Sequence, residues 1–302
     1  MPSEGHLRDP WLLAVWPGMG GVALSAGYYL MAKLGMHLLT EFPAVDYFEL
    51  DQVEVKDGLL LNKRLPRSRL FLWEDPDRKH DLIVFIGEAQ PATRGSDFCR
   101  TLIRKASGFG ISKVFTFAAM ATAMRPKHES RVFGAAIDRE TLGTFKQLGA
   151  HVLESGNISG LNGVMLGMSA VNGMPGGCLL GEIPHLFSQI PFPKASLAVL
   201  EIFSAMTGIR IDLDELRDHA KTVEETLEGF LVRMEGGDES DEHAEETPDD
   251  GERPKPNRER RRIERLFEEA LQDRSRAYEL KQELDRLGWF DEYEDRFLDL
   301  FK

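Results

Sequence analysis

The chain has 302 residues, a net charge of −13, 42% hydrophobic and 29% charged residues, enough for one large domain or two modest ones and for a core that needs no disulfide scaffold. Its two cysteines, Cys99 and Cys178, show no paired spacing, which argues against a cysteine-based zinc site and for a reducing, cytoplasmic setting. Ten acidic residues and no lysine or arginine lie from Glu235 to Glu252, so the remainder carries only −3 and offers no basic face of the kind a nucleic-acid binder shows.

Trp11–Trp16 is an apolar run that reads as a buried strand, and Pro17-Gly18-Met19-Gly20 turns it into a helix over Val22–Leu34 that stops at Gly35. The long uncharged stretch Pro10–Ala32 is interrupted by that glycine turn, and the uncharged stretch Ser155–Gly181 carries eight glycines. Lipid would leave such backbone unpaired, so both are expected to be buried soluble structure. The N-terminal residues include Glu4 and Asp9 and give no signal-peptide pattern.

Tyr47–Leu50, Gln52–Lys56 and Leu59–Asn62 read as extended, with Asp57-Gly58 as a hairpin turn that would make the sheet mixed. Strands are predicted over Leu70–Trp73, Leu82–Ile86, Lys113–Ala119, Arg131–Ala136 and Gly177–Ile183. Helices are predicted over Asp97–Phe109 with Asp97 as cap, and over Thr141–Leu148, Gly160–Ser169, Pro193–Thr207 and Asp212–Arg233. Buried strands alternating with helices indicate a three-layer α/β/α fold with a largely parallel sheet.

Residues 235–257 are acidic and poor in large apolar side chains and are expected to be a disordered linker. Arg258–Leu287 is expected to be one long amphipathic helix, ended by Gly288 and followed by a shorter helical segment over Trp289–Phe301. The organisation is therefore a domain over 1–234, the linker, and a C-terminal helical hairpin over 258–302.

Several motifs carry candidate chemistry. Gly18-Met19-Gly20-Gly21-Val22-Ala23 fits G-x-G-x-x-A after a strand, which suits either a dinucleotide cradle or a tightly packed turn. Glu88, just past a strand end, suits ligand binding or a pairing with Arg94. Glu182 and His185 suit an acid–base pair or ordinary hydrogen bonding. Asn157, Asn162 and Asn172 lie in the glycine-rich stretch. The basic run Arg258–Arg262 suits a solvated helix start or a clasp with the acidic run. The final Leu300-Phe301-Lys302 pairs a hydrophobic residue with an aromatic one and a terminal carboxylate. Such a peptide can plug a pocket while a cation holds the carboxylate.

The order Gly160-Leu161-Asn162-Gly163, Gly176-Gly177-Cys178-Leu179-Leu180-Gly181-Glu182-Ile183-Pro184-His185, Pro191-Phe192-Pro193-Lys194 and Ile211-Asp212-Leu213-Asp214-Glu215-Leu216 resembles the proteasome assembly chaperone family. Its relatives are the second eukaryotic assembly chaperone and archaeal and bacterial proteins. Pro17-Gly18-Met19-Gly20 and Gly87-Glu88-Ala89-Gln90-Pro91 sit where that family has similar elements, so the likeness spans residues 10 to 233. The resemblance implies a nucleoside-phosphorylase-like fold without an established catalytic site, self-association, with a trimer expected, and binding of proteasome α-subunits. In some members that binding runs through a hydrophobic–tyrosine–any tail. Leu300, Phe301 and Lys302 match that tail except for phenylalanine at the tyrosine position. The expectation is a non-catalytic protein with no cofactor, metal, nucleic-acid or membrane partner. The alternative is a nucleoside phosphorylase- or hydrolase-like enzyme or a nucleotide-binding protein, using a cleft near Gly18–Ala23, Glu88 and Asn157.

Overall fold

A computed structural model describes residues 7–43, 45–49, 53–56, 58–61, 64–77, 79–236 and 256–302. The sheet is built on β1 (Trp11–Val15), β6 (Leu82–Gly87), β7 (Lys113–Thr122) and β10 (Gly176–Pro184), all parallel. On one side β5 (Ser68–Trp73) and then β2 (His37–Phe42) follow, each antiparallel to its neighbour. On the other side β8 (Val132–Ala136) runs antiparallel to β10 and carries the short β9 (His151–Val152). The order is β2-β5-β6-β1-β7-β10-β8-β9.

Strand periodicity creates two cores. Leu13 and Val15 of β1 face one layer while Leu12 and Ala14 face the other, because successive side chains point to opposite sides of a sheet. The first layer holds α1 (Val22–Lys33), α5 (Pro193–Thr207), α6 (Asp214–Gly236) and the C-terminal helices. The second holds α2 (Gly95–Ser107) and α4 (Gly160–Val171). Helix α3 (Arg139–Gln147) packs near β8.

Close contact explains part of the glycine-rich stretch. At Gly181 a Cβ would lie 2.7 Å from the Ala195 carbonyl oxygen and 2.9 Å from the Ala195 Cβ, so glycine is what lets α5 sit on β10. Gly181→Ala is expected to cost about 1–3 kcal/mol through overpacking, read as a lower urea midpoint. An unchanged midpoint would mean that α5 can shift freely.

Several expectations are corrected. The sheet is mixed because of β2, β5, β8 and β9. The hairpin of β3 (Glu54–Lys56) and β4 (Leu59–Leu61) forms a separate two-stranded sheet, and its Asp57 lies outside the described residues. Val45–Tyr47 is a 3-10 turn where extended chain was expected from Tyr47. Asp97 does not cap α2; Arg94 stands at that position and Asp97 pairs with Arg100. Asp138 caps α3 by accepting from the Thr141 amide at 2.8 Å. The long C-terminal helix breaks into α7 (Pro256–Gln272) and α8 (Ala277–Leu287), followed by α9 (Phe290–Asp299). Asp273 makes the break: its side chain takes the Ser275 amide at 3.0 Å and turns the chain. Most of the expected linker lies outside the described residues; α6 reaches Gly236 and α7 begins at Pro256.

Candidate functional site

The polar residues at the strand ends come first. Past β1, the Gly20 amide donates to the Ser188 carbonyl at 2.7 Å, and the Gly20 carbonyl accepts from the Phe192 amide at 2.9 Å. The Gly21 amide is taken by the Gly18 carbonyl at 3.1 Å. Gly20 and Gly21 have φ of +61° and +59°, a conformation glycine adopts freely. These glycines therefore stitch β1 to the loop after β10, and the Gly20 and Gly21 amides that would cradle a phosphate are already bonded. Gln90 completes the seam. Its Nε2 donates to the Pro17 carbonyl at 2.8 Å and its Oε1 accepts from the Leu161 amide at 2.9 Å, tying the ends of β1 and β6 to the start of α4. Gln90 lies in the Gly87–Pro91 stretch, where nothing in the local residues marks this bridging role.

Glu88 is not paired with Arg94. Its Oε2 accepts from Arg64 Nη1 at 2.6 Å and from the Arg67 amide at 2.7 Å, and Arg69 Nη1 lies 3.7 Å from its Oε1. Arg94 instead donates to the Asp46 carbonyl at 2.9 Å. Glu182 is buried in a fork of Arg131, at 2.7 Å from Nε and 2.5 Å from Nη2, and accepts from the Thr122 hydroxyl at 2.7 Å. The Arg131 guanidinium holds that carboxyl below its ordinary range. His185 turns to the Thr122 carbonyl at 2.9 Å, so both residues bond Thr122 rather than each other. Asn157 lies exposed in a loop, Asn162 is buried, and Asn172 donates to the Met168 carbonyl at 2.7 Å near the end of α4. Burial pushes the thiols of Cys99 and Cys178 up to about 12, which suits core packing. Among the described residues no group of three or more His, Cys, Asp or Glu could hold a metal ion, and no helix is long and apolar enough to cross a membrane.

The tail residues, unlike these, come together in one place. Leu300 is buried and Phe301 is fully buried, seated edge-on to Phe71 of β5 at 6.1 Å and against Phe297 of α9 at 5.8 Å. The Phe301 carbonyl accepts from the Leu38 amide of β2 at 2.6 Å. Arg274 clasps the last residue, donating to the Lys302 carbonyl at 3.0 Å and to the Met36 carbonyl at 3.2 Å. An aromatic plug with a cation at the last residue was the geometry expected of docking on a partner. Here the same arrangement forms on the body of the same chain.

An ionic cluster centred on the buried Arg69 anchors the helix that carries this tail. Arg69 of β5, only 1% exposed, donates to Asp295 of α9 at 2.6 Å, and Arg67 donates to the same oxygen at 2.9 Å. Arg64 Nε reaches the other oxygen at 2.7 Å, and Arg67 also pairs with Glu41. These three cations hold the Asp295 carboxyl below its ordinary range against the opposing effect of burial. Nothing in the local pattern of residues 64–69 marks these arginines, since their shared partner Asp295 is more than 200 positions away.

Large apolar side chains are exposed elsewhere too, at Val171, Val232, Met234 and Leu271 and in two groups. Val53, Val55, Leu59 and Leu60 belong to the β3–β4 hairpin and the residue before it. Met19, Leu186, Ile190 and Phe230 lie near the strand ends, where Phe230 packs on Phe187 at 6.2 Å. The basic run at the start of α7 is exposed, with Arg262 paired to Glu283 at 3.2 Å. The acidic run expected to clasp it extends into residues outside those described.

The family model of the PAC2 family matches residues 12–231. An uncharacterized protein of Methanocaldococcus jannaschii is 27% identical over 234 residues, covering 74% of this chain and 83% of the relative. The crystal structure of Pyrococcus furiosus PbaB, described as an archaeal proteasome activator, superposes with a TM-score of 0.61 at 25% identity, covering 76% of this chain and 96% of that one. That of a proteasome-assembly chaperone homologue from Mycobacterium tuberculosis superposes with a TM-score of 0.63 at 20% identity over the same shares.

Proposed function

The chain belongs to the PAC2 family, and from that membership we propose that it is a non-catalytic, proteasome-assembly-chaperone-like protein that self-associates and grips a protein partner. The observation that carries this reading is the fate of the polar residues at the strand ends. Glu182, Gln90, one oxygen of Glu88 and the Gly20 and Gly21 amides are spent on hydrogen bonds within the protein, which fits a scaffold role for these strand ends. The exposed aliphatic residues of the β3–β4 hairpin and near the strand ends fit the self-association half of the proposal, with a trimer as the expected assembly.

The partner half rests on Leu300, Phe301 and Lys302, with a ring of proteasome-type α-subunits as the expected partner. Because the tail is seated on its own body, a partner must first draw it out. The apparent affinity then falls by the fraction of molecules with the tail free. The test is capture of α-ring subunits on full-length protein, on protein lacking residues 300–302, and on Arg274→Ala. The deletion should abolish capture. Arg274→Ala loosens the seat without altering the tail and should increase capture several-fold. Capture that survives the deletion, or that falls with Arg274→Ala, overturns the tail reading.

A further inference from the structure

Two adjacent carboxylates of α9 face the body under opposite conditions. Asp295 has three guanidinium partners. Glu294, its neighbour, has a side chain only 14% exposed and a single distant cation: Arg64, whose Nη2 is 3.9 Å away and whose other nitrogens are engaged by Glu88 and Asp295. Among the described residues that long contact with Arg64 is its one ion pair, and its one hydrogen bond comes from the neutral Tyr28 hydroxyl of α1 at 2.9 Å. The other charged groups near this face are Glu88 beyond β6, the Lys281–Asp285 pair of α8, and Asp291 one turn back on α9. Lys281 lies over the rings of Phe290 and Tyr28, and Arg296 of α9 is paired with Glu264 of α7. Glu294 is thus a carboxylate placed among acids and aromatic rings, on the helix that leads directly into the tail.

We propose that α9 is a proton-sensitive clasp: with Glu294 neutral the helix and the tail beyond it stay on the body, and with Glu294 ionised they loosen. The clasp gains its functional meaning from the tail reading above. Burial and the Glu88 charge raise the Glu294 carboxyl from 4.5 to about 7. The docked state therefore binds a proton that the free helix would release, and docking is strongest below the ordinary carboxylate range. It weakens as pH rises from about 4.5 through about 7 and changes little beyond. Asp295 acts in the opposite sense, but its carboxyl is depressed and stays ionised throughout this window. His219, also depressed, faces Tyr278 on α8 at 3.1 Å and belongs to the contact between α6 and α8.

Amide hydrogen exchange on the full chain tests this directly, with intrinsic rates divided out. Between pH 6 and pH 8 the opening constant of the 297–301 amides should rise about tenfold in the wild-type protein. In Glu294→Gln it should stay flat and lie below the wild-type value at pH 8. Glu294→Ala, which cannot ionise either, should also be flat. A wild-type constant indifferent to pH, the same slope in Glu294→Gln, or an equal response of the β1 and β7 amides would overturn the clasp. The readout involves no partner, so it can fail while capture succeeds, and the reverse.

Discussion

Phe301→Ala is expected to destabilise the protein by about 3–5 kcal/mol, the cost of removing a fully buried phenylalanine. The ring sits between Phe71 and Phe297 with no exposed surface, and its carbonyl is held by the Leu38 amide. A residue that served only as a free docking peptide would show no such effect, since solvated positions tolerate truncation within about 0.5 kcal/mol. Urea unfolding decides between the two. A loss below about 1 kcal/mol would mean that the tail spends most of its time off the body. Phe301→Tyr is the informative companion, because it restores the aromatic residue of the family's tail pattern while placing a hydroxyl in a dry seat. Its cost in stability should be about 1–3 kcal/mol.

The second large effect concerns Arg69. Asp295→Ala removes its closest partner and leaves a guanidinium that is 1% exposed, with Glu88 at 3.7 Å and Glu41 at 3.8 Å as its remaining acids. Stranding one half of a buried pair commonly costs about 3–5 kcal/mol; because Asp295 is partly exposed and two acids remain near Arg69, the expected loss is about 2 kcal/mol. The double variant Arg69→Met/Asp295→Ala should recover most of it, because an apolar side chain of similar length replaces the unpaired charge. A double-mutant cycle in urea measures this coupling. Additive effects would show that Arg69 does not depend on Asp295.

The two cores were readable where local chemistry and tertiary structure agree. Trp11–Trp16 followed by a glycine turn, and Pro193–Thr207 with its one-sided apolar spacing, became β1 with its turn and α5. Strand β2 was missed because His37–Phe42 mixes polar and apolar residues and is mostly half-buried, as an outermost strand can be. The direction of β8 is not written in its residues, since antiparallel pairing to β10 depends on the path the chain takes. The break at Asp273 is hidden by the apolar spacing of Ile263, Leu266, Phe267, Ala270, Leu271, Ala277, Leu280 and Leu284, all of which are buried except Leu271, which is exposed. That spacing continues on both sides of the break and looks like one helix. The tail was recognised by residue type, but what it docks on depends on Phe71, Leu38 and Arg274, which only the fold gathers. The arginine cluster was invisible for the same reason.

The seat of Phe301 has one more consequence. β2 is the last strand on its side of the sheet, and the Leu38 amide that the tail satisfies would otherwise present an open donor to any passing chain. Outermost strands left bare invite edge-to-edge aggregation. Removing residues 300–302 would therefore bare that amide on the edge strand and favour pairing of β2 with a second chain.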